Sequence, residues 1–125
     1  PAKRRKFGMH FLTFLSQRSY PDAGINMGEG AVIDGIGNAL YGELTFKDGV
    51  PDRTNFHRYR MIRHNEAPKS IDVHFVKNDI DPTGMGEPAF PPTFGALANA
   101  LYKATGKRFY KQPFNKQLNE SLKAF

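Results

Sequence analysis

The residues best suited to chemistry lie in one short run, Pro82-Thr83-Gly84-Met85-Gly86-Glu87-Pro88-Ala89-Phe90-Pro91-Pro92. Two glycines before a carboxylate let backbone approach a bulky partner, because no Cβ stands in the way. The prolines that follow limit the conformations such a loop must give up on ordering, so Glu87 can be held still. A helix starting near Pro92 would set its positive end about one turn downstream of Glu87. Physically this is a rigid loop offering one carboxylate to a tight site. On spacing alone an ordinary surface turn is the simpler reading.

The remaining chemistry-bearing residues form no rival site. His10, His57, His64 and His74 are scattered, without the three- or four-residue spacing of a helical ligand pair. No Gly-x-Ser-x-Gly elbow occurs, and the chain has no cysteine, which excludes a thiol nucleophile, disulfides, thiolate zinc and a cysteine-held iron–sulfur cluster. The glycines around Gly28 match neither a dinucleotide fingerprint nor a phosphate loop.

The elements that must position Glu87 are legible in outline. From Ala23 to Gly42 small residues dominate, and Val32, Ile33, Ile36 and Leu40 fall on one helical face. Glycine costs a helix about 1 kcal/mol against alanine, so its abundance here points to a backbone or ligand packed close to the helix. Leu44 to Phe46, Lys47-Asp48-Gly49 and Asn55-Phe56 read as strand, turn and strand. Residues 58–63 extend further, and Ile71, Val73 and Phe75 alternate as a half-buried strand. Thr93 caps a helix with Phe94, Leu97, Ala98, Leu101 and Tyr102 on its apolar face, and Gly106 ends it. After Pro113, Leu118, Leu122 and Phe125 suit one or two further helical turns.

At 125 residues the chain is one domain at most. Its net charge of +6 is concentrated: residues 1–21 contribute +5 through Lys3, Arg4, Arg5, Lys6 and Arg18, leaving +1 for the rest. A solvated basic tail explains this better than a nucleic-acid face, so no nucleic acid is expected as partner. No apolar run is long enough to span a membrane, and none is expected to be bound. Phe7, Met9, Phe11, Leu12, Phe14 and Leu15 follow the basic cluster, as in a signal peptide. His10 and Thr13 interrupt that run and no small-x-small cleavage site follows, so the compartment stays open, as does export of a parent enzyme.

Gly84-Met85-Gly86-Glu87-Pro88, with Pro91-Pro92 and the small-residue stretch Gly95-Ala96-Leu97-Ala98-Asn99-Ala100, resembles the C-terminal part of the molybdopterin-binding subunit of the xanthine dehydrogenase and aldehyde oxidase family. The isoquinoline 1-oxidoreductase beta subunit is its nearest branch by motif. Further stretches agree in order and spacing: Glu29 to Gly37, Ala39 to Glu43, Asn55 to Arg60, Asn65 to Pro68, and Ala104 to Arg108. The resemblance covers roughly residues 24–114.

It implies an α+β fold: a small mixed domain with a glycine-rich helix, a few β-strands and a C-terminal helix, part of a molybdenum-cofactor-binding domain. It divides the chain into a basic, apolar segment at 1–21, the domain fragment at 22–114 and a polar tail at 115–125. It implies that Glu87 is the catalytic base, taking the proton of the hydroxide that attacks an electron-poor carbon in an N-heterocycle or aldehyde. It also implies that Gly84, Met85, Gly86 and Asp34 approach the cofactor. Asp34 departs from the pattern, since many relatives carry glutamine there.

The expected cofactor is molybdenum–molybdopterin in the complete enzyme, with none bound by this chain alone. The expected partners are the remaining molybdopterin-binding segments and an iron–sulfur subunit, with self-association when isolated. The alternative is an inactive remnant serving as a self-associating folding or interaction module.

Overall fold

The computed structural model describes residues 11–12, 21–75, 84 and 86–122. Among them are three α-helices, α1 (Pro21–Tyr41), α2 (Phe90–Thr105) and α3 (Phe114–Leu122). Four two-residue strands complete the set: β1 (Phe11–Leu12), β2 (Phe46–Lys47), β3 (Val50–Pro51) and β4 (Val73–His74). The expected α+β class holds. Met85 and most of residues 1–21 lie outside the described residues.

The glycine-rich stretch forms α1, and packing rather than propensity holds it. Gly35 lies against α2 so closely that a Cβ there would meet Thr93 Cβ at 2.8 Å. Gly37 faces Ile62 and Gly28 faces Val73. Val32 and Ile36 of the expected apolar face are buried with Ala39, Leu97, Phe109 and Phe114, and Leu40, Ile62, Phe94 and Leu118 pack around them, whereas Ile33 is half-buried and outside this core. Phe109 and Phe114 meet edge to face with centroids 5.8 Å apart. Such contacts add to area burial.

Three local expectations need correction. Residues 55–56 do not form the return strand of the hairpin. Asp48 (φ 51°) and Gly49 (φ 78°) make a two-residue turn, and the chain pairs back at once, Phe46 with Pro51 and Lys47 with Val50. That turn fixes register immediately, and Asn55 instead accepts from the amides of Arg58 and Tyr59 in a turn of its own. The expected extended run at 58–63 is not a strand: Arg58 and Tyr59 belong to the Asn55 turn, and residues 64–66 form a 3₁₀ turn. Only Val73 and His74 of the third strand pair, in parallel with Phe11 and Leu12.

The third correction concerns α2. The helix starts at Phe90, before Thr93, because Pro91 and Pro92 sit in its first turn, where the missing amides cost no helical bond. Thr93 therefore lies inside the helix instead of capping it. α2 ends as expected at Gly106, in the left-handed conformation with φ 72°. α3 runs through residue 115 and packs on α1 through Phe114 and Leu118, so the tail is continuous with the core.

Candidate functional site

Glu87 opens a single 3₁₀ turn, Glu87–Ala89, that leads directly into α2. Backbone bonds fix this turn: the Ala89 amide donates to the Gly86 carbonyl at 3.2 Å, and the Phe90 amide donates to the Glu87 carbonyl. Pro88 occupies the turn's first positions and Ala89 is buried beneath it. Glu87 itself is exposed, and among the described residues its carboxylate has no ion pair.

α1 passes in front of this turn. Met27, Gly30, Ala31 and Asp34 from α1 face Gly86, Glu87, Phe90 and Pro91 across an open cleft of about 590 Å³. Phe90 is held by an edge-to-face contact with Phe94, centroids 5.2 Å apart. Asp34 is exposed at the α1 wall, and Asn38 one turn on donates to both its Oδ1 (3.1 Å) and its backbone carbonyl (3.2 Å). Space in front of Gly30 is open, with no atom within 4 Å of where a Cβ would stand.

Of the residues expected at the site, Asp34, Gly86 and Glu87 thus come together although they are far apart in the chain. Gly84 is exposed and does not line the cleft, and Met85 lies outside the described residues. The sequence reading missed the apolar floor, Met27, Ala31, Phe90 and Pro91. The helical period places Met27, Ala31 and Asp34 on one face of α1, a signal that was present once that helix was assigned.

Two motif stretches prove to be fastenings instead. Glu43 pairs with Arg53 at 2.9 Å and with Lys116, tying the hairpin to α3. Glu66 receives Arg60, the Tyr41 hydroxyl at 3.1 Å and the Arg63 amide at 2.7 Å, and Arg60 lies 4.2 Å over the Tyr41 ring. The hydrogen bond from Arg60, then that from the Arg63 amide, holds the Glu66 carboxyl below the usual carboxylate range. Lys116 does the same for Glu43. Burial, and then the bond to Glu66, pushes the Tyr41 phenol up. Among the described residues no group of three or more His, Asp or Glu could hold a metal ion. None of their helices is long and apolar enough to cross a membrane.

No family profile matches the chain. It is 31% identical over 90 residues to the beta chain of isoquinoline 1-oxidoreductase from Brevundimonas diminuta, which is 72% of this chain and 11% of that protein. It is 32% identical over 85 residues to the second chain of nicotinate dehydrogenase from Pseudomonas putida, 67% of this chain and 7% of the relative. A membrane-bound aldehyde dehydrogenase of Gluconacetobacter polyoxogenes, named with pyrroloquinoline quinone, is 29% identical over 93 residues, 74% of this chain and 12% of its own. The chain therefore spans about a tenth of the length of the curated relatives it matches. Its fold is that of part of a Cu,Mo-CO dehydrogenase, with a TM-score of 0.64 at 18% identity, covering 76% of this chain and 13% of that one.

Proposed function

We propose, for a chain that belongs to the xanthine dehydrogenase and aldehyde oxidase family as part of its molybdopterin-binding subunit, that it supplies the proton-accepting carboxylate of a molybdenum hydroxylase. The observation that carries this reading is the convergence of Glu87, Gly86 and Asp34 on one cleft. A base must be fixed, ionised and within reach of the proton it takes. Glu87 projects from a turn locked by two backbone bonds and is not neutralised by any described cation. Its cleft is otherwise apolar, which suits a flat, weakly polar substrate.

The residues lining the cleft also suit one edge of a pterin. Gly30 leaves open room at the α1 wall, and the Asp34 carboxylate is an acceptor for ring amino groups. Asp34 and the Gly86 backbone would hold the ring edge. Molybdenum on its pterin supplies the redox chemistry and the activated water-derived oxygen when bound. Glu87 would take up the proton that the oxygen nucleophile gives up, and Met27, Ala31, Phe90 and Pro91 would form the apolar wall beside it. With metal ligation left to the pterin, the absence of a three-ligand cluster among the described residues is no obstacle.

The rest of the enzyme is needed. A one-sided, open cleft cannot enclose a cofactor, so the isolated chain binds no molybdenum and oxidises no heterocycle. The remaining pterin-binding segments and an iron–sulfur subunit complete it. Without them, the exposed Phe46 (61%), Phe56 (79%) and Tyr110 (83%) favour self-association. Sedimentation at micromolar concentration should show a dimer or larger species, and a clean monomer would contradict this.

In the complete enzyme, Glu87→Gln should nearly abolish turnover with cofactor content intact, since the amide keeps the side chain's reach but accepts no proton. Cofactor extraction decides the group: a molybdenum pterin supports the reading, whereas pyrroloquinoline quinone, named for one relative, would overturn it.

A further inference from the structure

The joint between α1 and α2 meets both walls of the cleft at one side chain. Thr93 is fully buried. Its Cβ and Cγ2 would lie 2.8 and 2.9 Å from a Cβ on Gly35, the residue after Asp34. Its hydroxyl donates to the Ala89 carbonyl at 2.8 Å. Ala89 closes the turn that Glu87 opens.

We propose that Thr93 is a positioning residue for Glu87, its hydroxyl setting the pitch of the Glu87 turn while its methyl group packs against α1. The inference rests on the reading of Glu87 as the base. The physical case is that a buried hydroxyl is costly unless bonded, and Thr93 satisfies its own within the first turn of α2. A threonine bonded back to the carbonyl four residues earlier bends a helix slightly. Here the accepting carbonyl belongs to Ala89, the last residue of the 3₁₀ turn that begins at Glu87. The methyl group cannot move toward α1, because Gly35 already leaves only the space of a hydrogen. The hydroxyl thereby fixes the height at which Glu87 stands over the cleft. Small errors in that height cost rate steeply.

Two substitutions divide the residue into its halves. Thr93→Val keeps volume and the contact with Gly35 but removes the hydroxyl. Thr93→Ser keeps the hydroxyl and removes the methyl group. Both are made in the complete enzyme and read as turnover per bound molybdenum, which removes any loss of folded or loaded protein from the comparison. Thr93→Val is expected to lower kcat by about ten- to a hundredfold with KM little changed, and Thr93→Ser to recover most of that loss.

Unchanged kcat in Thr93→Val, or an equal loss in Thr93→Ser, would overturn the assignment. Glu87→Gln is measured in parallel. If it retains turnover, both the base and its positioning residue are refuted. If it is inactive while Thr93→Val is unimpaired, the joint alone is refuted.

Discussion

Three of the four glutamates in the family motifs, Glu43, Glu66 and Glu87, sit in opposite kinds of surroundings. Glu43 and Glu66 are each tied to cations and neighbouring donors, fastening the hairpin and the 64–66 turn to α3 and α1. Glu87 stands on a backbone made rigid by prolines and short hydrogen-bonded turns, with its own carboxylate left over. A carboxylate that ends in a salt bridge has its proton affinity spent on structure. One whose backbone is held instead keeps its oxygens for a ligand. Motif residues in this fold divide by what immobilises them, and the division follows from the structure rather than from the motifs.

The same change at all three positions tests that division. Glu87→Gln is expected to reduce kcat and kcat/KM of the complete enzyme together by roughly 10²–10⁴-fold, with little effect on melting. Glu66→Gln and Glu43→Gln should do the reverse, lowering melting temperature and sparing kcat. Equal kinetic losses at the three positions would dissolve the distinction.

Two glycines on α1 extend the comparison to the backbone. Gly35→Ala drives a methyl group into Thr93 and the Phe90 carbonyl and should cost about 1–3 kcal/mol in denaturant unfolding. Gly30→Ala meets nothing in this chain and should stabilise it by about 0.5–1 kcal/mol, through the lower entropy of the unfolded state. In the complete enzyme, loss of cofactor from Gly30→Ala would mean that a bound group occupies the space in front of it.

The smallest effects are those of pH on the fastenings. Both Glu43 and Glu66 have carboxyl affinities for protons lowered by folding, chiefly by hydrogen bonds from Lys116 and Arg60. Their contribution to stability is complete above the ordinary carboxylate value of 4.5 and is lost as pH falls through the lowered folded values. Tyr41 is raised, so its share is complete below 10.0 and is lost as pH rises through the folded value. Melting temperature should therefore fall at both extremes. Glu66→Gln should flatten the acid side, and Tyr41→Phe the alkaline side. An acid limb unchanged in Glu66→Gln would remove Glu66 from the account.

Much of this architecture is legible in the sequence. The spacing of Val32, Ile36 and Leu40 indicated α1, and Gly106 indicated the end of α2. The Asp48-Gly49 turn was readable too, although its return strand was not, because a two-residue turn pairs the very next residues. A threonine before an apolar run suits a cap, yet Thr93 lies inside α2. Its full burial, its bond to Ala89 and the close approach of Gly35 reveal it as an interior contact. The cleft was legible as a pair of suspects, Glu87 and Asp34, but their meeting depends on how two helices pack, and no local pattern encodes that. The partners of Glu43 and Glu66 were equally invisible, since salt bridges such as Glu43–Lys116 join distant parts of the chain.

The edge-to-face pair of Phe90 and Phe94 has an optical consequence. The chain contains no tryptophan, so Phe90→Trp would place its sole indole at the lip of the cleft. Emission from that ring would move to shorter wavelength when water leaves the cleft and would be quenched if a redox-active chromophore came to rest against it. In the assembled protein, the emission gained over the unsubstituted protein would time ligand entry with no turnover taking place.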